Sequence, residues 1–279
     1  MPILGRRASN YLGQVGALAW LSLAQLVRAP SHSRRAEAAR HWARQSLWLA
    51  IGAGIAVIVL MVVLDATEIG WMPPRGTPWL WPVRILTDFG KSAYLLWTLA
   101  AVLLVLALLL PRVRGMARTA LGGFGERMLF VFFAVLLPVL LGEVIKNVVG
   151  RGRPFVGGQA NAFNFQYFAG TEAFASFPSG HAISAFALAF AVAAVWPRLR
   201  IIMLVYAVAI GVTRLVLLAH HPSDVVAGAV LGVIGAMLVR YWFAARHLVF
   251  TIRRDGTIEP LAGASWRHLK RVARAPFGP

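Results

Sequence analysis

The chain has no cysteine, so disulfides, thiolate nucleophiles and Cys-ligated metals are all excluded, and redox chemistry says nothing about its compartment. Charge is also scarce. Only 14% of the 279 residues are charged, against about 25% in an ordinary soluble domain. Acidic residues are the scarcest charged type, 10 against 28 basic ones, and they form no cluster of the kind that holds a pair of catalytic metals. No low-complexity segment or clear repeat is present. The residues are instead 59% hydrophobic, which marks a membrane protein before any motif is read. The net charge of +18 lies in loops and tails between apolar runs, which points to membrane orientation and anionic lipid rather than nucleic acid.

Six apolar runs follow one another: Ser46–Leu64, Ala93–Leu110, Met128–Ile145, Ala182–Trp196, Ile201–Leu218 and Val225–Phe243. Most approach the ~20 residues needed to cross a ~30 Å hydrocarbon core. The fourth is short and is expected to extend back to Gly180 or to sit partly buried among its neighbours. The fold class expected is therefore all-α, an integral membrane bundle of about six transmembrane helices over residues 46–243. Residues 1–45 form a segment before it, and residues 244–279 a basic tail. Tyr11–Val27 is a weaker run broken by Gln14, Ser22 and Gln25; a retained interfacial helix is favoured over a seventh span or a signal-peptide core. In the tail, Asp255-Gly256 between Leu248–Ile252 and Thr257–Leu261 suggests a small hairpin, and the basic stretch Trp266–Arg274 suits a membrane surface.

Basic residues are unevenly divided between the two sides. The terminal side carries 20, the other only 7: Arg75, Arg84, Lys91, Lys146, Arg151, Arg153 and Arg214. Arg240, near the inner end of the last run, completes the set. The positive-inside tendency puts both termini in the cytoplasm and the first, third and fifth loops outside.

Those outward loops hold nearly every unusual polar residue. Lys146 ends the third run, and Arg153-Pro154 follows. Pro178-Ser179-Gly180-His181 opens the fourth, Arg214 lies inside the fifth, and His220 and Asp224 precede the sixth. Singly, each has a bland reading: snorkelling for Lys146 and Arg153, a helix cap for Ser179, a structural hydrogen bond for His220 with Asp224. Arg214 is harder to dismiss, because ionisable residues within spans are costly and usually functional. Together they supply what phosphoryl transfer requires. Lys146, Arg153 and Arg214 give positive charge, and the backbone N–H groups around Gly180 and His181 give an anion cradle at a helix N-terminus. Gly180 admits close backbone approach, and two histidines can divide the nucleophile and acid roles.

In order and spacing, Lys146-(six residues)-Arg153-Pro154, Pro178-Ser179-Gly180-His181 and Thr213-Arg214-(five residues)-His220-(three residues)-Asp224 resemble the three signature motifs of the type 2 phosphatidic acid phosphatase superfamily. The resemblance covers about residues 46–243, with the motifs confined to 146–224. Thr213 departs from the usual serine but keeps a hydroxyl. The resemblance implies a lipid phosphatase in which His220 attacks phosphorus and forms a phosphohistidine, Asp224 orients His220, and His181 protonates the leaving group. It further implies that Lys146, Arg153, Ser179, Gly180 and Arg214 hold the phosphoryl oxygens and that no metal or other cofactor takes part. Glu143, one turn before Lys146, is expected to be its ion-pair partner rather than a catalyst. His221 adjoins His220 but lacks the motif spacing, and Lys91 ends the first outward loop, where a headgroup could reach it.

Two rivals compete with the enzyme: an anion or lipid transporter using the basic pocket, and a non-catalytic lipid-binding scaffold of the same fold. Neither explains the His–Asp spacing together with His181. The expected partners are membrane lipids and a lipid phosphate or diphosphate presented in the outer leaflet of a bacterial inner membrane, with the site facing the periplasm. Oligomeric state and the individual lipid are not readable from the chain; polyprenyl diphosphate, phosphatidylglycerol phosphate, phosphatidic acid and lipid A 1-phosphate all fit.

Overall fold

A computed structural model describes residues 10–158 and 160–261. The expected surface segment Trp266–Arg274 lies outside the described residues. Among the described residues, nine α-helices and one hairpin follow in order: α1 (Tyr11–Val27), α2 (Arg35–Val63), α3 (Thr67–Trp71), α4 (Trp81–Asp88), α5 (Ser92–Leu109), α6 (Gly115–Val149), α7 (Gly180–Val195), α8 (Arg200–Val216), α9 (Pro222–Ala244), β1 (Phe250–Ile252) and β2 (Ile258–Pro260).

All six apolar runs are helical, falling in α2 and α5–α9. Five of these helices are long and apolar enough to cross a bilayer. The sixth, α7, starts at Gly180 as the short fourth run suggested, and has 16 residues. Its brevity fits its position: it packs against α6, α8 and α9, and Ala182, Ala185, Ala187 and Ala191 along it are wholly buried. Ile183 and Ala187 of α7 join Val131, Val135 and Val139 of α6 and Ala236 and Val239 of α9 in the main core.

Small residues let α9 lie hard against its neighbours. A Cβ added at Gly228 would come 2.5 Å from the carbonyl oxygen of Ser179, and one at Gly235 would come 2.6 Å from Pro138 of α6. Between lipid-embedded helices, where no hydrophobic force draws apolar surfaces together, such close approach supplies the packing. It also fixes the start of α7 against the start of α9, where Ser179, His181 and Asp224 lie.

The other end of the bundle gathers the first and last described elements. Asn10 caps α1, its Oδ1 accepting from Gly13 N at 2.9 Å. At one end of α1 the Tyr11 hydroxyl donates to the Leu108 carbonyl of α5; at the other, Trp242 Nε1 of α9 donates to the Leu26 carbonyl at 2.9 Å. Leu108 and Trp242 both lie in the final turns of their helices, so α1 runs along one end of the bundle. α2 starts at Arg35 and continues unbroken past residue 46, where the sequence suggested that the membrane unit begins. The expected hairpin is present: β1 and β2 pair antiparallel, Ile252 opposite Ile258, with Gly256 at φ 83° in the turn. Phe250 pins the hairpin to the bundle, its ring centroid 4.8 Å from that of Phe130.

Candidate active site

α6 ends in a left-handed Gly150 (φ 55°), which turns the chain out of the helix and aims Arg151 back into the protein. In the last turn of α6, Lys146 Nζ lies 2.5 Å from Glu143 Oε1, the pairing the sequence suggested. The same ammonium faces the first turn of α7, where a Cβ at Gly180 would sit 2.9 Å from Nζ. Glycine is thus what lets the lysine approach the positive end of that helix, where an anion could join both. Ser179 precedes it, its N–H donating to the Asp224 carbonyl at 3.0 Å.

Arg153 is held by its backbone N–H, which donates to Ala173 at 2.9 Å, while its guanidinium lies 3.3 Å from the exposed Glu172 carboxylate. Burial pushes the Arg153 guanidinium below its ordinary value. Arg214, in the last turn of α8, is buried, and its Nη1 donates to Thr87 Oγ1 at 2.8 Å. Thr213 Oγ1 stands 3.0 Å from the same Thr87 oxygen and 2.6 Å from the Ile210 carbonyl, so the hydroxyl at this departure from the motif braces the support of Arg214.

His220 follows the end of α8 in a short loop and is buried. Its Nδ1 is 2.8 Å from the Ser176 carbonyl, which can only accept, so Nδ1 carries the proton and the Nε2 lone pair is free. Burial, then the charges of Arg214 and Arg153, hold the ring well below the ordinary histidine range. Asp224 Oδ2 is 3.9 Å from Nδ1, beyond hydrogen-bond reach. That oxygen instead accepts from Ser176 Oγ at 2.6 Å and from the His221 N–H at 2.9 Å. Asp224 therefore reaches His220 through Ser176, which offers the carboxylate its hydroxyl and the imidazole its carbonyl. His221 is fully buried, with Nδ1 3.3 Å from the Asp65 carbonyl, and points away from the cluster.

Behind these side chains lies a network that sequence reasoning missed. Arg151 is 1% exposed. Its Nη1 donates to Asp224 Oδ1 at 2.6 Å and its Nη2 to Asp65 Oδ2 at 2.8 Å, and Nε and Nη2 also reach the Ala162 carbonyl. Ser223 closes the ring, its Oγ 2.6 Å from Arg151 Nη1 and 2.5 Å from Asp65 Oδ2. Arg151 counted in the sequence only as one of the 7 cations on its side. The usable signal was Asp65, an acid placed directly after an apolar run in a chain with only 10 acidic residues. Glu68, on α3, is also buried; burial and neighbouring Asp65 push its carboxyl up to about 7.

The expected site residues thus meet at one end of the bundle. Arg153 and Arg214 act on His220, and those two with Lys146 act on His181. Lys91 also faces His181, but its ammonium is 2.8 Å from Asp88. Four polar atoms in this group are buried without a protein partner: Ser179 Oγ, His181 Nε2, Arg153 Nε and Arg214 Nε. Buried polar atoms are normally satisfied. Such donors among three cations and a helix N-terminus have the chemistry to hold an oxyanion.

Comparison with known proteins agrees with this geometry. Residues 127–248 match the family model of the PAP2 superfamily. A lipid A 1-phosphatase of Rhizobium johnstonii is 34% identical over 218 residues, covering 76% of this chain and 86% of the relative. A lipid A 1-phosphatase of Rhizobium etli is 34% identical over 179 residues, with 62% and 75% covered. The bacitracin transport permease protein BcrC of Bacillus licheniformis is 30% identical over 170 residues, with 58% and 79% covered. Among solved structures, the transmembrane PAP2-type phosphatidylglycerolphosphate phosphatase of Bacillus subtilis superposes with a TM-score of 0.46 at 23% identity, covering 68% of this chain and 92% of that one.

Proposed function

The chain belongs to the PAP2 superfamily as an integral membrane phosphatase, and from that premise we propose that it removes a phosphate from a membrane lipid through a phosphohistidine intermediate, with the 1-phosphate of lipid A as its leading substrate. The observation that carries the mechanism is the state of His220. It is buried, its Nδ1 lies 2.8 Å from the Ser176 carbonyl, and its Nε2 is left free to act as the nucleophile.

The lipid phosphate enters among Lys146, Arg153, Arg214 and the start of α7, where its oxygens satisfy the orphaned donors of Ser179, Arg153 and Arg214. His220 Nε2 attacks phosphorus as the bond to the lipid oxygen breaks, and His181 gives that oxygen a proton. Deprotonated His181 then takes a proton from water, whose oxygen attacks the phosphohistidine and releases inorganic phosphate. The positive charge on phosphorylated His220 is offset by Asp224, acting through Ser176. Cationic side chains aimed at the phosphoryl oxygens do the electrostatic work that metals do in other phosphatases. Asp65 and Asp224 are both engaged by Arg151, which leaves them poor metal ligands.

Substrate preference rests on the two lipid A 1-phosphatase relatives and on position. The site lies at an end of the spans, so a lipid's chains can stay in the bilayer, keeping ~0.8 kcal/mol of hydrophobic stabilisation per CH₂. By the positive-inside tendency that end faces outward, the periplasm in a bacterium. Rapid quench with labelled lipid should trap an acid-labile, base-stable phosphoenzyme in wild type and none in His220→Ala, with activity unaffected by EDTA and inhibited by vanadate. Wild-type turnover by His220→Ala would remove the nucleophile assignment. In a phosphate-release panel, lipid A should exceed phosphatidic acid, phosphatidylglycerol phosphate and polyprenyl diphosphate; faster release from a soluble phosphomonoester than from any lipid would overturn the substrate class. Single cysteines at Gln159 and Ser265, probed in spheroplasts with an impermeant maleimide, should label at Gln159 alone.

A further inference from the structure

The end of the bundle opposite the histidines holds a second cationic cavity that the phosphatase chemistry does not use. α9 begins in the active site at Asp224 and carries Arg240 near its other end, about 24 Å further along at 1.5 Å per residue. All ten acidic residues of the chain fall within the described residues, and none forms an ion pair with Arg240. Its guanidinium lies 5.0 Å from the Phe190 ring centroid, and its Nε is buried without a hydrogen-bond partner. On α2 the indole Nε1 of Trp42 is also buried and unpartnered, as is Ser46 Oγ one turn on. Arg240 and Trp42 line a common cavity of about 240 Å³ with His41, Gln45 and Thr257 of the hairpin turn.

A guanidinium within a span is costly unless it is paired or faces a polar cavity. Here the cavity is lined largely by polar side chains, and Glu37, the acid beside it at Gly256, is exposed and forms no ion pair with Arg240. Among the described residues the guanidinium has no counter-ion, and an oxyanion from outside the chain would supply one. Depth narrows the source. Trp42 lies four residues before the first apolar run, and Arg240 lies four residues before the end of α9. Both stand where the apolar runs end, which is the headgroup level of the leaflet on the terminal side. A phosphate there accepts charge-assisted hydrogen bonds from the guanidinium while the indole N–H donates to another of its oxygens.

We propose that the Arg240–Trp42 cavity is a binding site for a phosphate-type oxyanion, carried by the headgroup of an anionic phospholipid in the leaflet on the terminal side. The site is separate from the catalytic one and independent of how that one works.

The test uses the full chain purified in neutral detergent, with thermal unfolding followed as dioleoyl phosphatidylglycerol, a phosphodiester, is titrated in. A ligand that binds only the folded state raises Tm in a saturable way. Wild type should show this rise, and Arg240→Gln should need at least about tenfold more lipid for half of it, the loss expected for a charge-assisted hydrogen bond. Trp42→Phe, which removes only the N–H, should shift the titration the same way and keeps the test open if Arg240→Gln does not fold. Both variants should retain phosphatase activity. If inorganic phosphate alone produces the full Arg240-dependent rise, the lipid source is overturned. Equal titrations in wild type and both variants, with either ligand, overturn the site itself.

Discussion

Replacing Arg151 by methionine tests whether the buried network is what holds the candidate active site together. The substitution keeps length and apolar bulk but removes the one cation between Asp65 and Asp224, whose carboxylates it meets at 2.8 and 2.6 Å. Arg151 and both acids are essentially unexposed, so solvent does not take over the missing charge. Breaking a buried pair by removing one partner costs ~3–5 kcal/mol, because the remaining charge stays buried and uncompensated. At ~2–4 °C per kcal/mol, typical of domains of ~150–250 residues, Tm in detergent should fall by roughly 6–20 °C. Asp65 and Asp224 would then repel one another as well, so Arg151→Met combined with Asp65→Asn should recover at least about 1 kcal/mol of the loss, a coupling of the size seen between residues in one network. Phosphatase activity should fall in Arg151→Met at temperatures where the protein is still folded, since Asp224 holds Ser176 and Ser176 holds His220. A Tm within about 2 °C of wild type, less than the shift expected for ~1 kcal/mol, would refute the reasoning, as would a double variant no more stable than the single one.

Thr87→Val removes the oxygen that accepts from Arg214 Nη1, and kcat/KM should drop about tenfold or more, the range for a hydrogen bond to a charged group, with Thr87→Ser restoring it. Gly228→Ala would press a methyl against the Ser179 carbonyl at 2.5 Å, where backbone must move; unfolding measurements should show a loss of about 1–3 kcal/mol, with reduced turnover from the displaced start of α7. Glu68 gives a pH dependence. Its carboxyl is raised from 4.5 to about 7, so between those values the folded state holds the proton more tightly than the unfolded chain, and stability falls as pH rises through that window. Glu68→Gln should flatten that fall and leave the protein more stable than wild type at pH 8; an unchanged slope of Tm against pH would count against it.

How much of this was legible in the sequence follows from the range of each signal. The six apolar runs, the Asp255-Gly256 hairpin and the start of α7 at Gly180 are local features. A span must satisfy its backbone within itself, so its apolar length writes it directly into the chain. The proposed catalytic set could be picked out for a related reason: Lys146 with Arg153, Ser179 with His181, and Arg214 with His220 and Asp224 each lie within ten residues of one another, at the ends of spans whose order sets the side they share. Tertiary structure decided the rest. It settled that Asp224 meets His220 through Ser176, that Thr87 rather than an acid steadies Arg214, and that α1 lies along one end of the bundle. Only folding brings Arg151 to Asp65, 86 residues away in the chain. A loop arginine that will be buried reads the same as one that will stay in water, because what separates them is the pair of carboxylates that packing delivers and the low dielectric that makes the pairing necessary.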